Sequence, residues 1–142
     1  MEKIEGMQKA FKEAKFVFLI TTNEEGETRT RPMTNFNESP YESMWFPTFT
    51  DTRKIRDIRH NSLVTISFPA DERHTWYNIE GQAHEASRKE VQEKWKWWIL
   101  EWVPRKEKKP LLHDNSLTGK SIIWIKPIKA ERAKKQLESR LF

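Results

Sequence analysis

Cysteine is absent from the 142-residue chain, which excludes disulfides, thiolate nucleophiles and sulfur-rich metal sites and is compatible with a reducing compartment. Long apolar runs are absent too. The longest, residues 16–20, is about five residues, far short of a membrane span or of the apolar region of a secretory signal, so a soluble, cytoplasmic protein is expected. Charge does not gather in one sign either: 26 basic and 21 acidic residues are interspersed, with no long stripe of the kind that tracks a nucleic-acid backbone. His60, His74, His84 and His113 are scattered without the close spacing of a metal site, and no Ser-His-Asp or paired-carboxylate pattern stands out. No metal is expected, and catalytic side chains are unknown from sequence.

What remains is one domain, residues 1–142, since this length supports a single core and not two. The formal charge of +5 favours an anionic partner: a nucleic acid, a membrane surface or a phosphate-bearing small molecule. The apolar pattern argues against the membrane. Seven Trp and eight Phe exceed what a modest core needs, and aromatic residues are favoured at interfaces and around flat ring ligands, which points to a dimer.

Along the chain, Ile4, Met7, Phe11 and Ala14 fall at three- and four-residue spacing and predict an amphipathic helix over residues 2–14. The period then changes to two. Residues 16–22 and 27–36 read as a hairpin across the turn at Asn23-Glu24-Glu25-Gly26, and residues 43–49 as a third strand. Asp51 or Thr52 offers a helix cap, behind which Ile55 and Ile58 sit among Arg53, Lys54, Arg56, Asp57 and Arg59 in a short basic helix ending near His60-Asn61. Strands follow at residues 63–69 and 75–86, where Gly81 marks a bulge or a close backbone approach. Ser87 and Glu90 match a capping box and open a helix expected to reach Trp102, ended by Pro104. A charged connector at 105–110, a last strand at 121–126 and a basic helix after Pro127 complete the pattern. About six strands joined mainly by hairpins, with helices inserted, predict an α+β fold built on an antiparallel barrel.

Two stretches hold the chemistry of interest: Arg29-Thr30-Arg31-Pro32-Met33-Thr34, and residues 45–54 with Trp45, Phe46, Pro47, Thr48, Thr52, Arg53 and Lys54. Converging cations beside a helix start are what a phosphate requires. A solvated helix face explains the same run of Arg and Lys, and ordinary packing explains Trp45, Phe46 and Trp76. With Arg31-Pro32-Met33, the strand from Trp45 into Thr52-Arg53-Lys54-Ile55-Arg56-Asp57-Ile58, and Ile79-Glu80-Gly81-Gln82-Ala83 in this order, the chain resembles the pyridoxamine 5'-phosphate oxidase-like FMN-binding split-barrel family. The likeness is strongest to its branch of general stress proteins.

That resemblance implies a homodimer of split barrels with FMN in each groove between the subunits. By position, Arg31, Arg53 and Lys54 would hold the phosphate, with Thr52 adding a hydroxyl or backbone donor. Backbone groups of Pro32, Met33, Thr34, Pro47 and Thr48 would line the ring and ribityl chain, and Trp76 would reach in from the partner. It further implies an FMN-dependent oxidoreductase with an unassigned small-molecule substrate; a non-catalytic flavin store or sensor and a nucleic-acid binder are the alternatives, and a deazaflavin or haem replaces FMN in some relatives. Two departures matter. Residues 130–142 contain Arg132 and Arg140 but no His, so pyridoxine-phosphate oxidation is not expected, and Lys134 and Lys135 stand where many relatives place a Trp. Three uses stay open for the Trp-rich segment 95–102: covering the flavin groove, packing in the dimer, or plugging the barrel.

Overall fold

A computed structural model describes residues 1–96, 99 and 118–134. Within them, period-two alternation dominates. β1 (Phe16–Thr22) and β2 (Thr28–Thr34) form a hairpin whose turn is closed by Gly26, at φ 81°, and by the Asn23 side chain, which accepts from the N–H groups of Glu25 and Glu27 at 3.0 and 2.9 Å. β3 (Met44–Phe49) runs into α2 (Arg53–His60). β4 (Leu63–Pro69) and β5 (Thr75–Glu85) make a second hairpin, and β6 (Lys120–Lys134) pairs with both β5 and β3. All pairings are antiparallel, in the order β2-β1-β4-β5-β6-β3, and the sheet curls into the half-barrel expected of an α+β split barrel. β2 and β3 are therefore its two edges.

Inward rows of these strands, among them Leu19, Met33, Phe46, Ile66, Ile79 and Ile125, meet in one core with Met7 and Phe11 of α1 (Met7–Glu13) and with Ile55 and Ile58 of α2. Phe11 closes on Phe68 edge to face, with centroids 5.2 Å apart. A smaller cluster on the outer side of β3 and β6 joins Phe49 and Ile122 to Trp95, Ile99 and Val91 of α3 (Arg88–Lys94). The capping box at Ser87 is present: its hydroxyl accepts from the Glu90 N–H at 3.2 Å, and the Glu90 carboxylate accepts from the Ser87 N–H at 2.9 Å. Among the described residues, no helix is long and apolar enough to cross a membrane.

Three expectations are corrected. The first helix begins at Met7 and not at residue 2, because Gly6 takes a left-handed conformation at φ 83°. Tyr41 and Tyr77 hold that entry as a turn ahead of the helix, their hydroxyls donating to the carbonyls of Ile4 and Glu5, both at 3.1 Å. The capped helix stops at Lys94 instead of reaching residue 102: Trp95 turns out with ψ 125°, which lays its ring against Phe49 at 6.1 Å. Trp97, Trp98 and residues 100–117, including the expected connector, lie outside the described residues.

The third correction concerns the last strand, which runs through Pro127 to Lys134, where a helix was expected. The reason is a bulge. Glu80 pairs with Lys129 but Gly81 with Pro127, so Ile128 is an extra residue in β6, and the missing N–H of Pro127 falls where the ladder is already interrupted. Residues 135–142 are outside the description. A side chain on Gly81 would place its Cβ 2.5 Å from Ile125 Cγ2 and 2.9 Å from the Lys126 carbonyl oxygen, so the two strands approach too closely for anything but glycine. Gly81→Ala is expected to lower stability by about 1–3 kcal/mol in urea denaturation.

Candidate functional site

Strand β2 carries a row of residues out of the core. Met33, Arg31 and Arg29 lie opposite Val17, Leu19 and Thr21 of β1, all three buried, so they share the inward face. Exposure rises along the row: Met33 is buried, the Arg31 side chain is 19% exposed and that of Arg29 is 35%. At the rim, α2 delivers a carboxylate to them. Asp57 is only 4% exposed, because the helix buries one face comprising Lys54, Ile55, Asp57 and Ile58.

The Asp57 carboxylate accepts from the Thr21 hydroxyl at 2.8 Å, while Arg29 and Arg31 stand 3.4 and 3.5 Å from its two oxygens. Arg31 also donates to Thr21 Oγ1 at 3.0 Å. Burial pushes the Arg31 pKa below its ordinary value, outweighing the pull of Asp57, and the like charges of Arg29 and Arg53 push the same way. Arg53, at the exposed first turn of α2, thus belongs to the same electrostatic group. Arg29 and Arg31 share one carboxylate, and the positive charge of Arg53 is felt at Arg31. Such a cluster is short of negative charge and is chemically suited to an oxyanion.

The remaining expected residues separate into distinct places. Lys54 is buried on the inward face of α2, whereas Arg56 and Arg59 are solvated, Arg59 pairing with Glu85. For those two arginines the plain helix-face explanation holds. Thr52 caps α2 without a side-chain cap bond; its hydroxyl donates to the Phe49 carbonyl at 3.1 Å. Pro32 is exposed and Thr34 half-buried on β2, and Pro47 is half-buried on β3. Thr48 is buried, and its Oγ1 has no hydrogen-bond partner.

Trp76 sits elsewhere. With Phe18, its tilted neighbour at 6.2 Å, it lines an outer-face hollow of about 450 Å³ shared with Ile20, Thr30, Ser67 and Asn78. Thr30 alternates with Arg29 and Arg31, so within one chain Trp76 and the cationic cluster occupy opposite faces of the sheet. Phe46 is core, and Trp45 stacks on Phe36 at 5.6 Å beneath the Lys94 ammonium, so packing accounts for both rings.

Sequence reasoning selects Arg31 and Arg53 but not Arg29, Thr21 or Asp57. Two spacings point to Arg29 and Asp57, the first lying two residues before Arg31 on one strand face and the second four after Arg53 on the helix, whereas no local signal singles out Thr21.

Residues 2–121 match the family described as pyridoxamine 5'-phosphate oxidase like, and the chain belongs to that family. Solved structures share the fold. General Stress Protein 26 from Bacillus anthracis str. Sterne is 17% identical, with a TM-score of 0.65 over 92% of this chain and 97% of its own. A protein described as an F420 reductase is 18% identical, with a TM-score of 0.66 over 91% and 98%. A pyridoxamine 5'-phosphate oxidase-related, FMN-binding protein from Nostoc punctiforme is 12% identical, with a TM-score of 0.63 over 89% and 78%. No curated protein sequence matches the chain.

Thr21 bridges the carboxylate and Arg31, so Thr21→Val leaves both one partner short. A loss of about 2 kcal/mol is expected in denaturant unfolding, against a change within about 0.5 kcal/mol for Thr22→Val on the other face.

Proposed function

We propose that the chain binds FMN as a homodimer. Its phosphate sits at Arg31, Arg53 and Lys54, with Thr52 beside it, and its ring lies along the backbone of Pro32, Met33, Thr34, Pro47 and Thr48. The observation that carries this reading is the excess of positive charge at the rim of β2 and the start of α2, where one carboxylate faces Arg29 and Arg31 and the charge of Arg53 is added beside them. Family membership and the FMN-binding relative from Nostoc punctiforme support the choice of a flavin.

The edge positions of β2 and β3 support the placement of the ring, because edge strands keep one row of backbone N–H and C=O groups outside the sheet ladder. Trp76, on the opposite face from the cations, serves a second copy's site and not its own. When bound, the flavin supplies electron and hydride transfer to a small-molecule redox substrate. The chain supplies binding and orientation. Arg31 and Arg53 fix the anionic tail, and the partly apolar edges hold the flat ring.

The purified protein is expected to be yellow, or to take up one FMN per chain after removal of endogenous ligand. Arg53→Ala/Lys54→Ala should weaken FMN by roughly tenfold or more while leaving riboflavin, which lacks the phosphate, unchanged. A colourless protein that ignores FMN contradicts the proposal; preference for a deazaflavin over FMN moves it to the chemistry named for the F420-reductase relative. With FMN bound, turnover of nicotinamide donors across a substrate panel separates an oxidoreductase from a flavin store.

A further inference from the structure

Asp57 is an unusual member of a site meant for an anion, since a buried carboxylate beside it repels the ligand. Its bonds explain its presence. The Thr21 hydroxyl holds it at 2.8 Å, an ordinary hydrogen bond, whereas the two arginines stand off at 3.4 and 3.5 Å. Charge-assisted N–H···O bonds are normally about 2.7–2.9 Å long. The carboxylate is thus fixed by β1 and only loosely engaged by the cations of β2, each of which has five N–H donors to offer.

We infer that Asp57 is an internal counter-ion that stands in for a phosphate in the empty site, and that Arg29, together with Arg31 and Arg53, forms the cluster that a phosphate monoester then completes. The inference rests on the phosphate placement proposed above and extends it to two residues. Without Asp57, the Arg29 and Arg31 guanidinium groups would stand uncompensated on the inward face of β2; with it, they keep one net positive charge, to which Arg53 and Lys54 add theirs at the start of α2. Such a remainder favours a phosphate monoester, whose charge near neutral pH is about −1.5 to −2, over a phosphodiester with a single negative charge.

Asp57 therefore trades affinity for stability of the empty chain. Asn at this position keeps an oxygen for the Thr21 hydroxyl but removes the charge. Asp57→Asn is expected to unfold at a lower temperature when empty, to bind FMN several-fold more tightly than the unsubstituted chain, and to bind riboflavin unchanged. Arg29→Gln, on a side chain a third exposed, should weaken FMN several-fold, again with riboflavin unchanged, and it carries the test if Asp57→Asn does not fold.

Inorganic phosphate, at matched ionic strength with chloride, should raise the melting temperature of Asp57→Asn more than that of the unsubstituted chain. Weaker FMN binding by Asp57→Asn, equal changes for FMN and riboflavin, or no effect of Arg29→Gln on FMN would each overturn the inference. If no flavin binds but phosphate still stabilises Asp57→Asn preferentially, the counter-ion stands and the flavin assignment falls.

Discussion

The close approach of β5 and β6 at Gly81 is the constraint on which the arrangement of the site depends. A Cβ there would collide with Ile125 and the Lys126 carbonyl, so glycine alone lets β6 lie against β5 on both sides of the bulge. Because β6 is held in this way, its first half can present residues 120–125 to β3. β3 in turn leads directly into α2, and α2 brings Asp57 and Arg53 to the rim of β2. A steric fact in one strand pair thus bears on where the charges of β2 and α2 meet.

At that meeting point, cost and use coincide. Burying a carboxylate is unfavourable unless donors surround it, and Asp57 has the Thr21 hydroxyl and two arginines. Arg31 is largely withdrawn from water and is held below its ordinary pKa. The fold accepts this imbalance at its rim, where Arg29 and Arg53 still reach solvent, and a cluster poor in negative charge is the feature most open to an anionic ligand. On the other face of β2, the hollow around Phe18 and Trp76 is apolar with a few polar groups. The two faces of one edge strand therefore offer different chemistry to different neighbours.

Much of this was legible in the sequence. Hairpin turns at Gly26, alternation in β1 through β5, the basic helix after Thr52 and the capping box at Ser87 carry local signals, and local signals survive into the fold. What could not be read depends on long-range contact. Gly6 breaks its helix where Tyr77, 71 residues later in the chain, packs on it. Pro127 looks like a strand end until Gly81 supplies a bulge opposite it. Arg53 and Lys54 are legible as cations at a helix start and Arg31 as a cation on the neighbouring strand, but Asp57 reads as one more charge on a solvated face until burial selects it. Trp76 is visible as an aromatic residue, and nothing in its neighbours along the chain tells which face of the sheet it serves.

The most direct measurement of the account is the ³¹P NMR titration of FMN bound to the protein. A phosphate held by Arg31 and Arg53 should stay dianionic well below its free pKa of about 6, with that depression lost in Arg31→Gln. A bound phosphate that titrates as it does in free FMN, in the unsubstituted chain and in Arg31→Gln alike, would contradict the placement of the anion at this cluster.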